Sequence, residues 1–107
     1  MHKRMIVAAT LLLYVLTAAV AAIAQDGQDE LFEQCKGHPR GPWCYQETVE
    51  QLNQPELCEN ILKYWPKADG VHGVCYYNLA RKQKNCALCD LIRNADIKKM
   101  CKLDVCK

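Results

Sequence analysis

The stretch NCALC, residues 85–89, holds two cysteines in the CxxC spacing that occurs both in thiol–disulfide enzymes and in zinc sites. A low-pKa thiolate at Cys86, at the start of a predicted helix, would be the nucleophile of a redox site formed with Cys89. Together with Cys101 and Cys106, the pair reads C-x2-C-x11-C-x4-C, which could supply four thiolates to a tetrahedral zinc ion. The same cysteines suit structural disulfides, so the compartment of the chain decides among these uses.

Other residues of catalytic type are few and dispersed. His38 stands beside Pro39 and His72 stands within Gly70–Gly73, so we predict both histidines to be exposed in loops. The sequence contains no HExxH motif, no glycine-rich phosphate loop and no recognisable Ser/His/Asp set. A Cys/His nucleophile would need a free thiol, which disulfide formation removes. We therefore predict no catalytic residue, no metal and no cofactor, and a protein that is not an enzyme.

The first residues, MHKRMIVAATLLLYVLTAAVAAIA, have a basic start and an uncharged apolar run that ends in small residues. This pattern predicts a secretory signal peptide, residues 1–24, with cleavage before Gln25. The run is also long enough to cross a bilayer, so the alternative is that residues 6–24 stay as a membrane anchor with the domain outside. In either case we expect residues 25–107 to be exported.

All eight cysteines lie in residues 25–107. A chain this short buries a limited fraction of its surface, and small exported domains commonly compensate with disulfides. An even number of cysteines in an oxidising space predicts four bridges and no free thiol, which weighs against both the redox and the zinc interpretations. We therefore predict a single domain, residues 25–107, that is secreted or exposed on the cell surface.

Charge is unevenly distributed along this domain. Residues 25–60 contain two basic and eight acidic side chains, whereas residues 61–107 contain ten basic and four acidic ones. The basic half lacks the arginine and aromatic interleaving that nucleic-acid stacking uses, so we predict no nucleic-acid partner. The lysines and arginines near the last predicted hairpin are either a solvated face or a contact for anionic lipid or an acidic partner. These residues are Arg81, Lys82, Lys84, Lys98, Lys99 and Lys102.

The chain also repeats itself. The segment WCYQETVEQLNQPELCENI, residues 43–61, aligns without a gap on VCYYNLARKQKNCALCDLI, residues 74–92, at a period of 31 residues. The aligned identities are Cys44/Cys75, Tyr45/Tyr76, Leu57/Leu88, Cys58/Cys89 and Ile61/Ile92. Such a period indicates a repeated supersecondary unit, with a partial third copy from Cys101 and a remnant at Cys35.

Each unit has the pattern of two short helices. Apolar residues recur at helical spacing, Pro55 and Asn85 mark helix starts, Pro66 marks a helix end, and no segment alternates as a strand would. The predicted inward residues include Tyr45, Val49, Leu52, Val71, Val74, Cys75, Leu79, Ile97, Met100, Cys101 and Val105. The predicted helices are Trp43–Leu52, Pro55–Trp65, Val71–Gln83, one that starts after Asn85 and carries Ile92 and Ala95, and one from about Asp96 to Cys106.

We therefore expect an all-α fold: an array of short antiparallel helical hairpins stapled by disulfides and preceded by a hydrophobic signal helix. Helices rise about 1.5 Å per residue and bridged Cα atoms lie within about 7 Å, so paired cysteines must stand at similar levels from their turn. Across a turn at residues 94–95, Cys89 matches Cys101. The predicted pairs are Cys35–Cys44, Cys58–Cys75, Cys86–Cys106 and Cys89–Cys101.

Aromatic residues are first expected to pack in the core and against the bridges. They are Phe32, Trp43, Tyr45, Tyr64, Trp65, Tyr76 and Tyr77. Tyr77 is the exception, because Gln46 occupies its position in the first copy and Tyr76 already takes the aromatic position of the repeat. Tyr77 is therefore the candidate for a surface contact.

The segments CYYNLARKQKNCALCDLI and LCDLIRNADIKKMC resemble the CYxxxA…LCxxI…C repeats of exported, cysteine-rich helical proteins known mainly from archaea, over residues 43–106. The doubly stapled last hairpin is also similar to α-hairpinins, small defence and toxin peptides that use CxxxC in both helices. Here the spacings are CxxC and CxxxxC. The first resemblance implies an exported helical repeat without a known activity, and neither implies a catalytic residue.

These observations predict a protein that acts by binding or as a structural module, with an unknown protein or surface partner. A membrane partner is expected only if residues 6–24 stay as an anchor. Two alternatives remain open: a thiol–disulfide redox protein that uses Cys86 and Cys89, and a secreted toxin or defence peptide.

Overall fold

A computed structural model describes residues 30–107, and within it Phe32–Lys107 form one compact unit. Every regular element of this part of the chain is helical, which confirms the all-α prediction. The predicted signal peptide or anchor, residues 1–24, lies outside the described residues. Residues 30–36 are helical, and the elements that follow are α1 (Gly41–Leu52), a first 3-10 helix (Pro55–Glu59), α2 (Asn60–Tyr64), α3 (Asp69–Gln83), a second 3-10 helix (Cys86–Leu91) and α4 (Ala95–Val105).

In the first half of the unit, the helices begin and end close to the proline and asparagine residues that predict their boundaries. Helix α1 ends at Leu52, and the left-handed backbone of the next residue, Asn53 (φ 57°), turns the chain toward Pro55. Pro55 then begins a 3-10 helix rather than the uninterrupted α-helix that we predicted, and α2 follows it directly. Helix α2 ends at Tyr64, because Trp65 precedes Pro66 and so avoids the α conformation.

The second half departs further from the prediction. Lys84 repeats the left-handed turn (φ 53°), and Asn85 caps the second 3-10 helix by accepting a hydrogen bond from the Ala87 N–H. No α-helix follows, because Ile92 is extended and carries its buried side chain into the core from that conformation. The predicted helix that carried Ile92 and Ala95 is therefore wrong in its second part. Ala95 instead begins α4, which Asn94 caps.

Helix α3 is the central element, since it packs against α1, both 3-10 helices and α4. It begins at Asp69, so the stretch Gly70–Gly73 that we predicted as a loop is the first turn of a helix. Gly73 allows a close approach to α4 and to Ile92: a Cβ atom there would lie 3.0 Å from Ile97 Cδ1 and 3.2 Å from Ile92 Cγ2. His72 is buried rather than exposed, which corrects the prediction for this residue.

The core is built from both copies of the aligned positions. Tyr45, Val49, Leu57 and Ile61 are buried from the first copy, and Tyr76, Ala80, Leu88 and Ile92 from the second. Two inward predictions are wrong: Leu52 is 51% exposed and Met100 is 55% exposed. In α4 the narrow inward face is centred on Cys101, and Met100 lies about 100° around the helix from it.

Four disulfides join the helices, and they use all eight cysteines. The structure joins the same partners as the pairing derived from helix levels, with Cα–Cα distances of 5.0–5.8 Å. The bridges are Cys35–Cys44, Cys58–Cys75, Cys86–Cys106 and Cys89–Cys101. Among residues 30–107, no helix combines the length and apolar character needed to cross a membrane.

Candidate functional site

The CxxC motif is divided between two bridges. Cys86 is bonded to Cys106, and Cys89 is bonded to Cys101, so the two cysteines of NCALC are not partners. In this state neither thiolate is available as a redox nucleophile or as a zinc ligand. Within residues 30–107, no group of three or more histidine, cysteine or carboxylate side chains is arranged to hold a metal ion.

A polar cluster around Glu59 is the most highly connected group of titratable side chains in the described unit. Glu59 ends the first 3-10 helix, His72 and Tyr76 lie one turn apart on α3, and Arg93 precedes α4. Glu59 Oε2 lies 3.0 Å from His72 Nε2 and accepts a hydrogen bond from the Tyr76 hydroxyl, also at 3.0 Å. Glu59 Oε1 accepts from the Arg93 guanidinium at 2.8 Å. We call these four residues the Glu59 cluster.

The cluster favours the ionised carboxylate. Burial alone raises the pKa of Glu59, but the hydrogen bonds from His72 and Tyr76 and the positive charge of Arg93 outweigh it, so the net pKa lies below its ordinary value. Burial, followed by the bond to Glu59, raises the pKa of the Tyr76 phenol. Because an ionised carboxylate only accepts, His72 Nε2 carries the hydrogen of its bond, and His72 Nδ1 is buried without a partner.

This geometry suits a clamp better than a catalyst. A carboxylate that already accepts from three donors is a weak base, and a phenol with a raised pKa is a weak acid. His72 is fully buried and edge-on to the Tyr76 ring, so a substrate has no path to its imidazole. The cluster instead ties three segments together: the first 3-10 helix, α3 and the loop before α4.

No sequence motif marks Glu59 or Arg93 as functional. Glu59 aligns with Asp90 in the repeat, but Asp90 forms an ion pair with Lys102 at 2.9 Å instead. The predicted helix Val71–Gln83 already places His72 and Tyr76 on one face, since residues four apart are neighbours on a helix. The contacts that Glu59 makes with this pair and with Arg93 join distant segments, so no local pattern contains them.

An aromatic groove lies between the start of α1 and the end of α2 with the loop that follows it. Phe32 stacks on Tyr64 with ring centroids 3.9 Å apart, and Trp65 meets Phe32 and Tyr45 edge-on. Gly41 allows this arrangement, because a Cβ there would lie 2.9 Å from Trp65 Cζ2. The result is an open, largely apolar groove of about 490 Å³. Its lining residues are Pro42, Tyr64, Trp65, Pro66, Lys67 and Ala68.

The predictions for the repeat tyrosines and for Tyr77 have different outcomes. Tyr45 and Tyr76 are buried in the core, which confirms their expected role. Tyr77, the candidate for a surface contact, donates its hydroxyl to Asp104 at 2.8 Å, and the Arg81 guanidinium lies 5.2 Å from its ring centroid. Tyr77 is therefore already occupied by an internal contact between α3 and α4.

Fold and sites together define a small all-helical protein stabilised by four disulfides, of the type found outside the cytoplasm. The chain matches no protein-family model, no curated protein and no solved structure.

Proposed function

We propose that this chain is an exported, non-catalytic helical module that acts by binding, and that its aromatic groove is the contact surface. The observation that carries the proposal is that every cysteine is held in a disulfide, which leaves no thiol nucleophile while cross-linking six helical segments. A rigid scaffold of this kind can present a surface at a low entropic cost of binding.

The groove has the composition of a contact surface. Tyr64 and Trp65 are half-buried, so each presents an aromatic face with a polar edge to the solvent. Aromatic side chains are enriched at binding surfaces, because they offer a large contact area at a small loss of conformational freedom. Lys67 at the rim adds a positive charge that favours an acidic partner.

We also propose that residues 43–106 contain one supersecondary unit that occurs twice, as in the exported, cysteine-rich repeat proteins, known mainly from archaea, that this segment resembles. Two features support it. The left-handed residues Asn53 and Lys84 lie 31 residues apart, and the 3-10 helices begin at Pro55 and Cys86, again 31 residues apart. Equal backbone turns in equal register are expected when one supersecondary unit occurs twice.

The first experiment separates this proposal from the redox alternative. Protein secreted by its own host is alkylated without reduction and its disulfides are mapped by mass spectrometry. We expect a chain that begins at Gln25, four intact bridges and no alkylated cysteine. Alkylation of Cys86 and Cys89 would instead support the thiol–disulfide redox protein, and a retained apolar segment would support the anchored form.

The second experiment tests the groove. Ala68→Glu places a negative charge in the groove, where it would repel an acidic partner, whereas Ala87→Glu makes the same change at an exposed alanine of the second 3-10 helix. Fluorescently labelled variants are titrated onto the surface of host cells, with far-ultraviolet circular dichroism as the folding control. We expect about tenfold weaker binding for Ala68→Glu alone, a loss of about 1.4 kcal/mol. Equal binding of both variants would contradict the assigned surface.

A further inference from the structure

The four bridges differ in their access to solvent. Cys58, Cys75, Cys89 and Cys101 are each 0% exposed, and Cys35 is 1% exposed. Cys86, in contrast, is exposed and its partner Cys106 is partly exposed. Cys44 is also partly exposed, but its partner Cys35 is buried. Thiol–disulfide exchange requires a thiolate to reach a sulfur atom, and among residues 30–107 Cys86–Cys106 is the bridge in which both cysteines are open to solvent.

A shallow groove of about 450 Å³ leads to this bridge. Its lining residues are Ala95, Lys98, Lys99, Lys102, Leu103 and Cys106. We call it the lysine groove, because three of its six lining residues are lysines and none carries a carboxylate. Lys102 is partly neutralised by Asp90 at 2.9 Å, whereas Lys98 and Lys99 form no ion pair within residues 30–107.

We propose that the Cys86–Cys106 disulfide is a thiol-exchange site selective for anionic thiols, which the lysine groove delivers to the Cys106 sulfur. Clustered positive charge raises the local concentration of an anionic reactant and its rate of encounter. A neighbouring lysine also stabilises the thiolate form of an attacking or departing sulfur. The substrate class is a small thiol that carries carboxylates, for which reduced glutathione is the probe.

The exchange balances without any further oxidant. The thiolate of the external thiol attacks Sγ of Cys106, the Cys86–Cys106 bond breaks, and Cys86 leaves as a thiolate that takes a proton from water. The product is a mixed disulfide on Cys106 and a free thiol on Cys86. A second external thiol can then release Cys106 as a thiol and form the small-molecule disulfide.

The fold tolerates this opening because a second staple lies behind it. The Cys89–Cys101 bridge is fully buried and still joins the second 3-10 helix to α4 when Cys86–Cys106 is broken. Cys106 follows the last residue of α4, so its release leaves the helix itself joined through Cys101. The exchange therefore modifies the protein at one position and leaves the core and the aromatic groove in place.

The test is a time course of the native protein with reduced glutathione, quenched by alkylation and mapped by mass spectrometry. We expect glutathione to appear on Cys106, with Cys86 alkylated, before any other bridge opens. The cationic thiol cysteamine, at equal thiolate concentration, is expected to react about tenfold more slowly, because the lysine groove repels it.

A pair of charge variants assigns the selectivity. Lys98→Gln with Lys99→Gln should remove most of the preference for glutathione over cysteamine, while Lys63→Gln with Lys67→Gln, outside the lysine groove, should keep it. Added salt should also reduce the preference. Earlier opening of a buried bridge, glutathione on Cys86 instead of Cys106, or equal rates for the two thiols would each overturn the proposal.

Discussion

Glu59 connects segments that are far apart in the sequence, and its charge state should therefore appear in the pH dependence of stability. Its pKa in the folded protein lies below the ordinary value of 4.5. The stabilisation that it provides is thus complete above that value and is lost as the pH falls through the lower folded-state pKa. Because the Glu59 side chain is 45% exposed, solvent reduces this contribution to about 1 kcal/mol.

We expect Glu59→Gln to lower the free energy of unfolding by about 1 kcal/mol at neutral pH. The glutamine side chain replaces one accepting carboxylate oxygen with a donating NH2 group, which faces donors instead of an acceptor. The difference from the wild-type protein should close as the pH is lowered from 5 toward 3. Urea unfolding across this range measures it, with Glu56→Gln as the exposed control in the same 3-10 helix. A difference that stays constant with pH would contradict the assigned role of the charge.

The two repeat tyrosines allow a matched comparison. Tyr76 donates to the Glu59 carboxylate, whereas the Tyr45 hydroxyl accepts at 3.1 Å from the neutral amide of Asn60. Hydrogen bonds to charged groups contribute more than neutral ones. We expect Tyr76→Phe to lower the free energy of unfolding by about 1–2 kcal/mol and Tyr45→Phe by about 0.5–1 kcal/mol. Urea titration at neutral pH measures both, and the reverse order would be inconsistent with an ionised Glu59.

At the scale of the elements, the contact between α3 and α4 depends on Gly73. Glycine to alanine inside a helix is ordinarily stabilising by up to about 1 kcal/mol. At Gly73 the new Cβ would lie 3.0 Å from Ile97 Cδ1 and 3.1 Å from Ile97 Cγ2, both on α4, whereas at Gly70 it would meet no atom within 4 Å.

We therefore expect Gly73→Ala to lower the free energy of unfolding by about 1–3 kcal/mol, since the packed helices must move apart. Gly70→Ala, in the same helix, should be neutral or slightly stabilising. Thermal unfolding followed by circular dichroism compares the two variants. Equal melting temperatures would mean that α4 adjusts its position without loss.

Residues near each helix end were sufficient to predict most helix boundaries, and the positions of the turns were sufficient to predict which cysteines pair. Pro55, Pro66 and Asn85 act through their own backbone and side-chain chemistry, so their effects can be read from the sequence. The partners of Cys89 and Cys101 follow from a fixed rise per residue and the position of one turn. Neither the helix rise nor the Cα–Cα distance of a disulfide depends on which side chains pack together in the core.

The features that escaped prediction depend on tertiary contacts. Whether Pro55 begins a 3-10 or an α-helix, and whether Ile92 stays helical, is decided by the side chains that must reach the core. His72 is buried against Glu59 of the first 3-10 helix, a contact that spans 13 residues. The contact between Glu59 and Arg93 spans 34 residues, so no local pattern contains it.

On the scale of the whole described unit, cross-links supplement a small hydrophobic core. The helices are short, with α2 spanning five residues and the longest, α3, fifteen. Isolated helices of this length are marginal in water, since nucleation is costly. The buried Cys58–Cys75 bridge joins α3 to the first 3-10 helix. The buried Cys89–Cys101 bridge joins the second 3-10 helix to α4, and both of these elements pack on α3.

Full reduction should therefore unfold the protein. Each bridge closes a short to moderate loop and contributes about 2–4 kcal/mol by restricting the unfolded chain, so four together exceed the stability of a typical small domain. We expect far-ultraviolet circular dichroism to lose most of its helical signal with excess reductant at 25 °C. The control is Cys86→Ser with Cys106→Ser, which lacks only the exposed bridge and should stay helical without reductant. A helical spectrum that survives complete reduction would show that packing alone specifies the fold, and that the disulfides serve another purpose.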